Sequence, residues 1–175
     1  MKYSKKEIAF KALVLFFWMV LICAAESTVF PQLKLFDSVP SCLPFVVCAA
    51  AVFDGPWAGL ICGFAAGFLA DGVGGQSFCL YTIVYLVSGA VIGAVSPELF
   101  KKSYLCVLGW GCALYFVAEF LRFFVFFYLF GRADLSAVVS VILPGLLYSA
   151  LLSPVAAAPS MIMRRFFKTE DPLVR

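Results

Sequence analysis

Long apolar stretches, separated by short breaks that contain prolines or charges, run along the whole chain. Six stretches cover residues 8–29, 42–53, 56–70, 78–95, 104–130 and 136–163. A helix needs about 20 apolar residues to cross the hydrocarbon core of a bilayer. The pattern therefore predicts an all-α integral membrane protein, a six-transmembrane-helix bundle that forms a single domain over residues 1–175.

The second and third stretches are shorter than a perpendicular span requires. They are divided by Asp54-Gly55-Pro56, a sequence typical of a turn. Residues 42–70 therefore form either two short spans or a re-entrant hairpin. Both alternatives bring the chain back to the same side of the membrane, so the predicted topology does not depend on the choice.

The distribution of basic residues predicts the orientation, because cytoplasmic loops carry an excess of Lys and Arg. With the N-terminus inside, the basic pair at 101–102 and the basic C-terminal segment both return to the cytoplasm. Ten of the 13 basic residues then lie inside, whereas Lys34 and Arg132 lie outside and Arg122 lies within the membrane. We expect cytoplasmic termini and an Asp71 that faces the outer side.

Composition agrees with a bilayer as the solvent. Apolar residues make up 64% of the 175 residues and charged residues only 13%, which is too apolar a surface for a soluble domain of this length. The net charge of +3 reflects cytoplasmic loops and does not indicate a nucleic-acid surface. The first apolar stretch is too long for the core of a signal peptide, so we interpret it as a retained span.

A row of small residues begins in the turn before the third stretch and runs through it. Gly55, Gly59, Gly63 and Gly67 are spaced four apart and are followed by Asp71. On a helix this spacing forms one slowly winding ridge with almost no side-chain bulk. In lipid such a ridge lets a second helix backbone approach closely. The row therefore predicts a helix-packing surface.

Two further glycines predict the partner of this surface. Gly89 and Gly93 form a second small-xxx-small pair in the fourth stretch, and we expect it to pack on the glycine row. Asp71, at the end of the row, has two interpretations. It is either a catalytic or ion-binding carboxylate, or a helix-ending residue that accepts hydrogen bonds from the amides of residues 72–75.

One pair of opposite charges lies at membrane depth. Glu119 and Arg122 are three residues apart in the fifth stretch, so they are neighbours on one helix face and can form an ion pair. Because a charge at mid-depth that faces lipid costs about 3 kcal/mol on insertion scales, the pair should face protein. It either contributes to a polar contact or a hydrophilic cavity, or only neutralises itself and fixes the rotation of its helix.

The sequence gives little support for a catalytic or metal-binding site. The chain has no histidine, and its seven cysteines are scattered without a CxxC pair, which excludes the usual zinc sites and nucleophile–histidine pairs. Asp54 and Asp71 are predicted on opposite sides of the membrane, so they cannot act as paired catalytic carboxylates. We expect no catalytic residue, no metal site and no cofactor.

Residues 26–102 resemble the MreD family of rod shape-determining membrane proteins. The matching elements are the sequence Glu-Ser-Thr-Val-Phe-Pro at 26–31, an apolar span after Pro40, the glycine row of 59–71 that ends in Asp71, and the span 81–93 with its Gly89. The second half of the chain matches only in hydropathy. The Glu119–Arg122 pair is not part of the family pattern.

The resemblance implies a non-enzymatic membrane scaffold of the bacterial cell-elongation (rod) machinery in the cytoplasmic (inner) membrane. Members of the family bind the bitopic protein MreC and act with an actin homologue, the RodA glycosyltransferase and a transpeptidase to control cell shape and peptidoglycan synthesis. Their helix arrangement is also similar to the substrate-binding component of energy-coupling-factor transporters. Such a vitamin-binding component is the alternative function, although the bulky first span, residues 16–19, disfavours docking of its coupling subunit.

Overall fold

The computed structural model describes residues 5–29, 32, 40–74, 79–99, 103–130 and 135–166. The described residues form six α-helices and no strand, so the predicted all-α, six-helix architecture is confirmed for them. The helices are α1 (Lys5–Thr28), α2 (Leu43–Asp54), α3 (Pro56–Gly74), α4 (Leu80–Leu99), α5 (Tyr104–Phe130) and α6 (Leu135–Phe166).

The break between α2 and α3 follows from three consecutive residues. Asp54 ends α2, and Gly55 has a φ of +94°, a left-handed conformation that residues with a Cβ rarely adopt. The Gly55 N–H donates to the carbonyl of Ala51 at 3.1 Å, which closes the last turn of α2. Pro56 then begins α3, where its missing N–H costs nothing.

Helix length distinguishes these two helices. The 19 residues of α3 continue past the predicted end at residue 70 and reach about 28 Å, close to the thickness of the hydrocarbon core. The 12 residues of α2 reach only about 18 Å. Among the residues that the structure describes, four helices are long and apolar enough to cross a membrane, over Lys11–Thr28, Pro56–Val73, Tyr104–Val125 and Ile142–Ile162. The apolar segments Leu43–Asp54 of α2 and Leu80–Ser96 of α4 are shorter.

The short helix α2 lies at the centre of the bundle. The other five helices form a closed ring around it in the order α1, α3, α4, α5, α6, and each of the five contacts α2. A helix that is apolar on every side is expected to be buried on every side. Ten of the 12 residues of α2 are buried, namely Leu43, Pro44, Phe45, Val46, Val47, Cys48, Ala49, Ala50, Ala51 and Val52.

The ring helices present one face to α2 and the opposite face outward. In α1 the buried side chains are spaced three and four apart, at Leu15, Met19, Ile22 and Cys23, whereas Phe16 and Phe17 are exposed. Exposed large apolar side chains continue along the outer faces of α3, α4, α5 and α6. Apolar faces of this extent are what a bilayer covers.

Helix α6 runs through three internal prolines, and one of them has a visible compensation. Pro154 has no N–H for the carbonyl of Ala150, and the Ser153 hydroxyl donates to that carbonyl at 2.6 Å. Since Ser153 has a single hydroxyl hydrogen, the Tyr104 hydroxyl is the donor in the 2.5 Å bond between Tyr104 and Ser153. The start of α5 is thereby joined to the interrupted turn of α6.

Candidate functional site

The glycines of α3 bring its backbone directly against α4. A Cβ placed on Gly59 would overlap the carbonyl of Gly89, and one on Gly63 would overlap the carbonyl of Tyr85. A Cβ on Gly67 would lie 2.7 Å from the N of Thr82. Because no side chain separates the two backbones at these three levels, α3 and α4 form the closest helix pair of the bundle.

The same contact extends to the end of α4 through Gly93. A Cβ on Gly93 would lie 2.7 Å from the N of Pro56 and 2.8 Å from the carbonyl carbon of Gly55. Gly55 itself lies in the turn before α3, and a Cβ on it would meet nothing within 4 Å. Its left-handed φ, and not close packing of its own Cα, is what requires glycine there. We call Gly59, Gly63, Gly67, Gly89 and Gly93 the glycine seam.

Asp71, one turn beyond Gly67 of the glycine seam, is a buried cap for the N-terminus of α4. Its carboxylate accepts hydrogen bonds from the N–H of Tyr81 at 3.1 Å and from the N–H of Thr82 at 2.9 Å. The Thr82 hydroxyl adds a third at 2.6 Å. A carboxylate is favourable here because the first amides of a helix lack partners and carry partial positive charge. These donors belong to α4 and not to residues 72–75, of which residue 75 lies outside the described part.

Glu119 and Arg122 form an ion pair of 2.7 Å on the inner side of α5. The Tyr81 hydroxyl donates to the other oxygen of Glu119 at 2.9 Å. Tyr81 therefore connects the carboxylates of Asp71 and Glu119, because its backbone N–H donates a hydrogen bond to Asp71 and its hydroxyl donates one to Glu119. The Arg122 side chain is 41% exposed and that of Glu119 is 14% exposed, so the guanidinium lies at the outer limit of the cluster.

Glu26 lies at the same end of the bundle, near enough to Glu119 for an electrostatic interaction, and the sequence alone assigns it no single role. Its carboxylate accepts hydrogen bonds from the N–H of Cys42, from the N–H of Leu43 at 3.1 Å and from the Ser41 hydroxyl at 3.4 Å. The Cys42 side chain does not cap α2, so the carboxylate of α1 takes that role. One signal for this contact was present in the sequence. Cys42, at the N-cap position of α2, has no side-chain oxygen to accept the first amides of the helix, and an acidic residue, Glu26, lies near the end of the preceding apolar stretch. We call Glu26, Asp71, Tyr81, Glu119 and Arg122 the outer polar cluster, after the orientation that the sequence predicts.

The opposite end of α2 has its own charge contact with α1. The Lys11 ammonium lies 2.5 Å from a carboxylate oxygen of Asp54, the last residue of α2. A cation near the C-terminus of a helix and an anion near its N-terminus both interact favourably with the helix dipole. Helix α1 thus contacts each end of α2 with the appropriate charge. From the sequence alone, Asp54 is predicted only as a turn residue.

The chemistry of the outer polar cluster is that of helix positioning. Glu26 and Asp71 accept backbone amides from α2 and α4, and Glu119 is occupied by a guanidinium and a phenol. Among the residues that the structure describes, no group of three His, Cys, Asp or Glu side chains could hold a metal ion. What the geometry supports is a set of polar connections between α1, α2, α3, α4 and α5 near one end of the bundle.

Comparisons with known proteins agree with this architecture. The model of the family described as rod shape-determining protein MreD matches residues 7–167 of the 175-residue chain. No curated protein and no solved structure matches it, so the expected similarity to the substrate-binding component of energy-coupling-factor transporters stays a prediction. The family match includes α5 and α6, which resembled the family only in hydropathy, and it covers nearly all of the chain. The protein therefore belongs to the MreD family of rod shape-determining membrane proteins.

Proposed function

We propose that this protein is a non-enzymatic scaffold of the bacterial cell-elongation machinery in the cytoplasmic membrane. It binds an MreC-like bitopic protein and, directly or through that protein, RodA, its partner transpeptidase and the actin homologue, and so contributes to the control of peptidoglycan synthesis. The observation that carries the proposal is the family match over residues 7–167. Four helices that are long and apolar enough to span a membrane support the location.

The geometry supports a scaffold in two ways. The glycine seam and the outer polar cluster connect the helices rigidly to one another, as a docking platform requires. The carboxylates of the cluster are engaged by helix amides, a phenol and a guanidinium, an arrangement suited to structure and not to proton transfer. No observation favours the alternative, a vitamin-binding component of an energy-coupling-factor transporter.

Co-purification in a mild detergent tests the proposal. The tagged protein is isolated from the membranes of its own cells, and the co-purifying proteins are identified by mass spectrometry. We expect a bitopic protein with a large outer domain, in near-stoichiometric amount, which a six-helix membrane protein of unrelated family prepared in the same way does not retain. Recovery of an ATPase module or a bound vitamin in place of the bitopic protein would contradict the scaffold.

A further inference from the structure

Helix α1 is attached to the rest of the bundle very differently at its two ends. At the end that carries the outer polar cluster, Glu26 accepts hydrogen bonds from the N–H groups of Cys42 and Leu43. One turn earlier, the Cys23 thiol donates to the carbonyl of Leu69 in α3 at 3.8 Å. Because the first amides of α2 would lose their acceptor without Glu26, this end of α1 is costly to release.

The opposite end of α1 is joined to α2 by the ion pair of Lys11 and Asp54, whose side chains are each 19% exposed. Asp54 lies two residues before the start of α3, and α3 is long enough to cross the hydrocarbon core. The ion pair is therefore at the boundary of the core, where water competes for both charges. An ion pair that water reaches contributes little to stability.

The side chains between these two ends do not make up the difference. Leu15 and Met19 are buried but apolar, and in a bilayer lipid tails offer an apolar side chain nearly the same contacts as a helix does. The indole N–H of Trp18 is buried and has no hydrogen-bond acceptor among the described residues, so it adds no polar connection. Of the five ring helices, α1 also has the least extensive backbone contact with α2.

Helix α2 tolerates the loss of α1 from its Asp54 end. Residues 43–53 of α2 are apolar on every side, so lipid tails can cover the face that α1 leaves without exposing a polar group to hydrocarbon. The glycine seam is the opposite case. There the backbones of α3 and α4 touch, and separating them forfeits close packing that lipid does not restore.

We propose that α1 is a hinged helix. It stays fixed at Glu26, and its Lys11 end swings away from α2 when the ion pair with Asp54 breaks. The Lys11 ammonium remains at the boundary of the core in both states, because its long side chain reaches water. The ion pair acts as the latch of the closed state, and lipid tails fill the space that opens beside α2. This inference concerns motion within the protein and does not depend on the proposed function.

Distances between spin labels on α1 and α5, measured by pulsed electron paramagnetic resonance in lipid nanodiscs, test the hinge. One pair of labels replaces Leu13 and Leu105, which are exposed toward the Lys11 end of the bundle. The matched control pair replaces Ser27 and Leu121, which are exposed toward the cluster end. Labels carried by a non-canonical amino acid leave the seven native cysteines in place. We expect a second, longer distance for the first pair and a single distance for the control pair.

Variants of the latch show whether the ion pair controls the opening. Lys11→Gln removes the ion pair and should raise the fraction of the longer distance about threefold, whereas Lys11→Arg should leave it near the wild-type value. An unchanged fraction in Lys11→Gln, or a longer distance that appears equally for the control pair, would overturn the proposal. Asp54→Asn breaks the same contact from α2 and replaces Lys11→Gln if that variant does not fold. Failure of both variants to fold would show that the closed contact is indispensable, which also overturns the hinge.

Discussion

At the scale of single residues, the absence of a Cβ has different consequences at different glycines of α3. Gly63 faces the carbonyl of Tyr85, which is backbone and cannot move aside, whereas a Cβ on Gly72 would meet nothing within 4 Å. Both residues lie in the same helix, and alanine is favoured over glycine in a helix by about 1 kcal/mol. A comparison of substitutions at Gly63 and Gly72 therefore separates the effect of helix propensity on stability from the effect of close packing.

Alanine substitution at these two positions should have opposite effects. We expect Gly63→Ala to lower the free energy of unfolding by about 1–3 kcal/mol, because overpacking forces α3 and α4 apart. Gly72→Ala should leave it unchanged or raise it by up to about 1 kcal/mol. Thermal unfolding in detergent measures both. Equal stability of the two variants would show that the glycine seam does not require bare backbone.

The glycine seam could be predicted from the sequence, whereas some contacts near it could not. The spacing alone indicated that the glycine row of α3 would pack against Gly89 and Gly93, because small residues at helical intervals in lipid typically mark a close helix–helix contact. The contacts of Glu26 and Lys11 with the two ends of α2 could not be predicted. They join residues that are distant in sequence, and they depend on which helix lies beside α1, which hydropathy does not specify.

At the scale of helices, α6 depends on side chains to replace the hydrogen bonds that its prolines remove. Ser153 donates to the carbonyl that Pro154 leaves without its usual donor, and Tyr104 donates to Ser153. Ser160, seven residues further along, is buried as well, but its hydroxyl has no hydrogen-bond partner among the described residues. The two serines thus share a helix and a degree of burial and differ in their hydrogen bonds.

Removing each hydroxyl should distinguish the two serines. We expect Ser153→Ala to lower the free energy of unfolding by about 1–3 kcal/mol, because it leaves the carbonyl of Ala150 and the hydroxyl of Tyr104 unsatisfied. Ser160→Ala should be neutral or slightly stabilising, since it removes a buried hydroxyl without a described partner. Unfolding measured in the same detergent compares them. A larger loss at Ser160 would contradict the assigned hydrogen bonds.

At the scale of the whole molecule, the ring around α2 could not be predicted from apolar stretches. Hydropathy indicated six helices, but it treated the second as a short span or part of a re-entrant hairpin. The structure makes it the element that every other helix contacts. Residues 43–53 are apolar on every side of the helix, and this is the sequence feature that agrees with its burial.

The proposed orientation of the molecule can be tested with its own cysteines. Cys79, just before α4, is exposed, whereas four of the other six are buried and two are intermediate. With cytoplasmic termini, Cys79 lies on the outer side. We expect a membrane-impermeant maleimide to label intact spheroplasts at this residue, and Cys79→Ala to abolish the labelling. Labelling that requires disruption of the membrane would reverse the orientation.

The length of α2 has a consequence for biogenesis. During synthesis it reaches the membrane before α3, α4, α5 and α6 have been made, yet 12 residues cannot cross the hydrocarbon core on their own. Its stable position depends on helices that arrive later, up to the last one. We therefore expect α2 to be fully covered only once α6 has been made, and chains that stop short of α6 to leave part of this apolar helix uncovered.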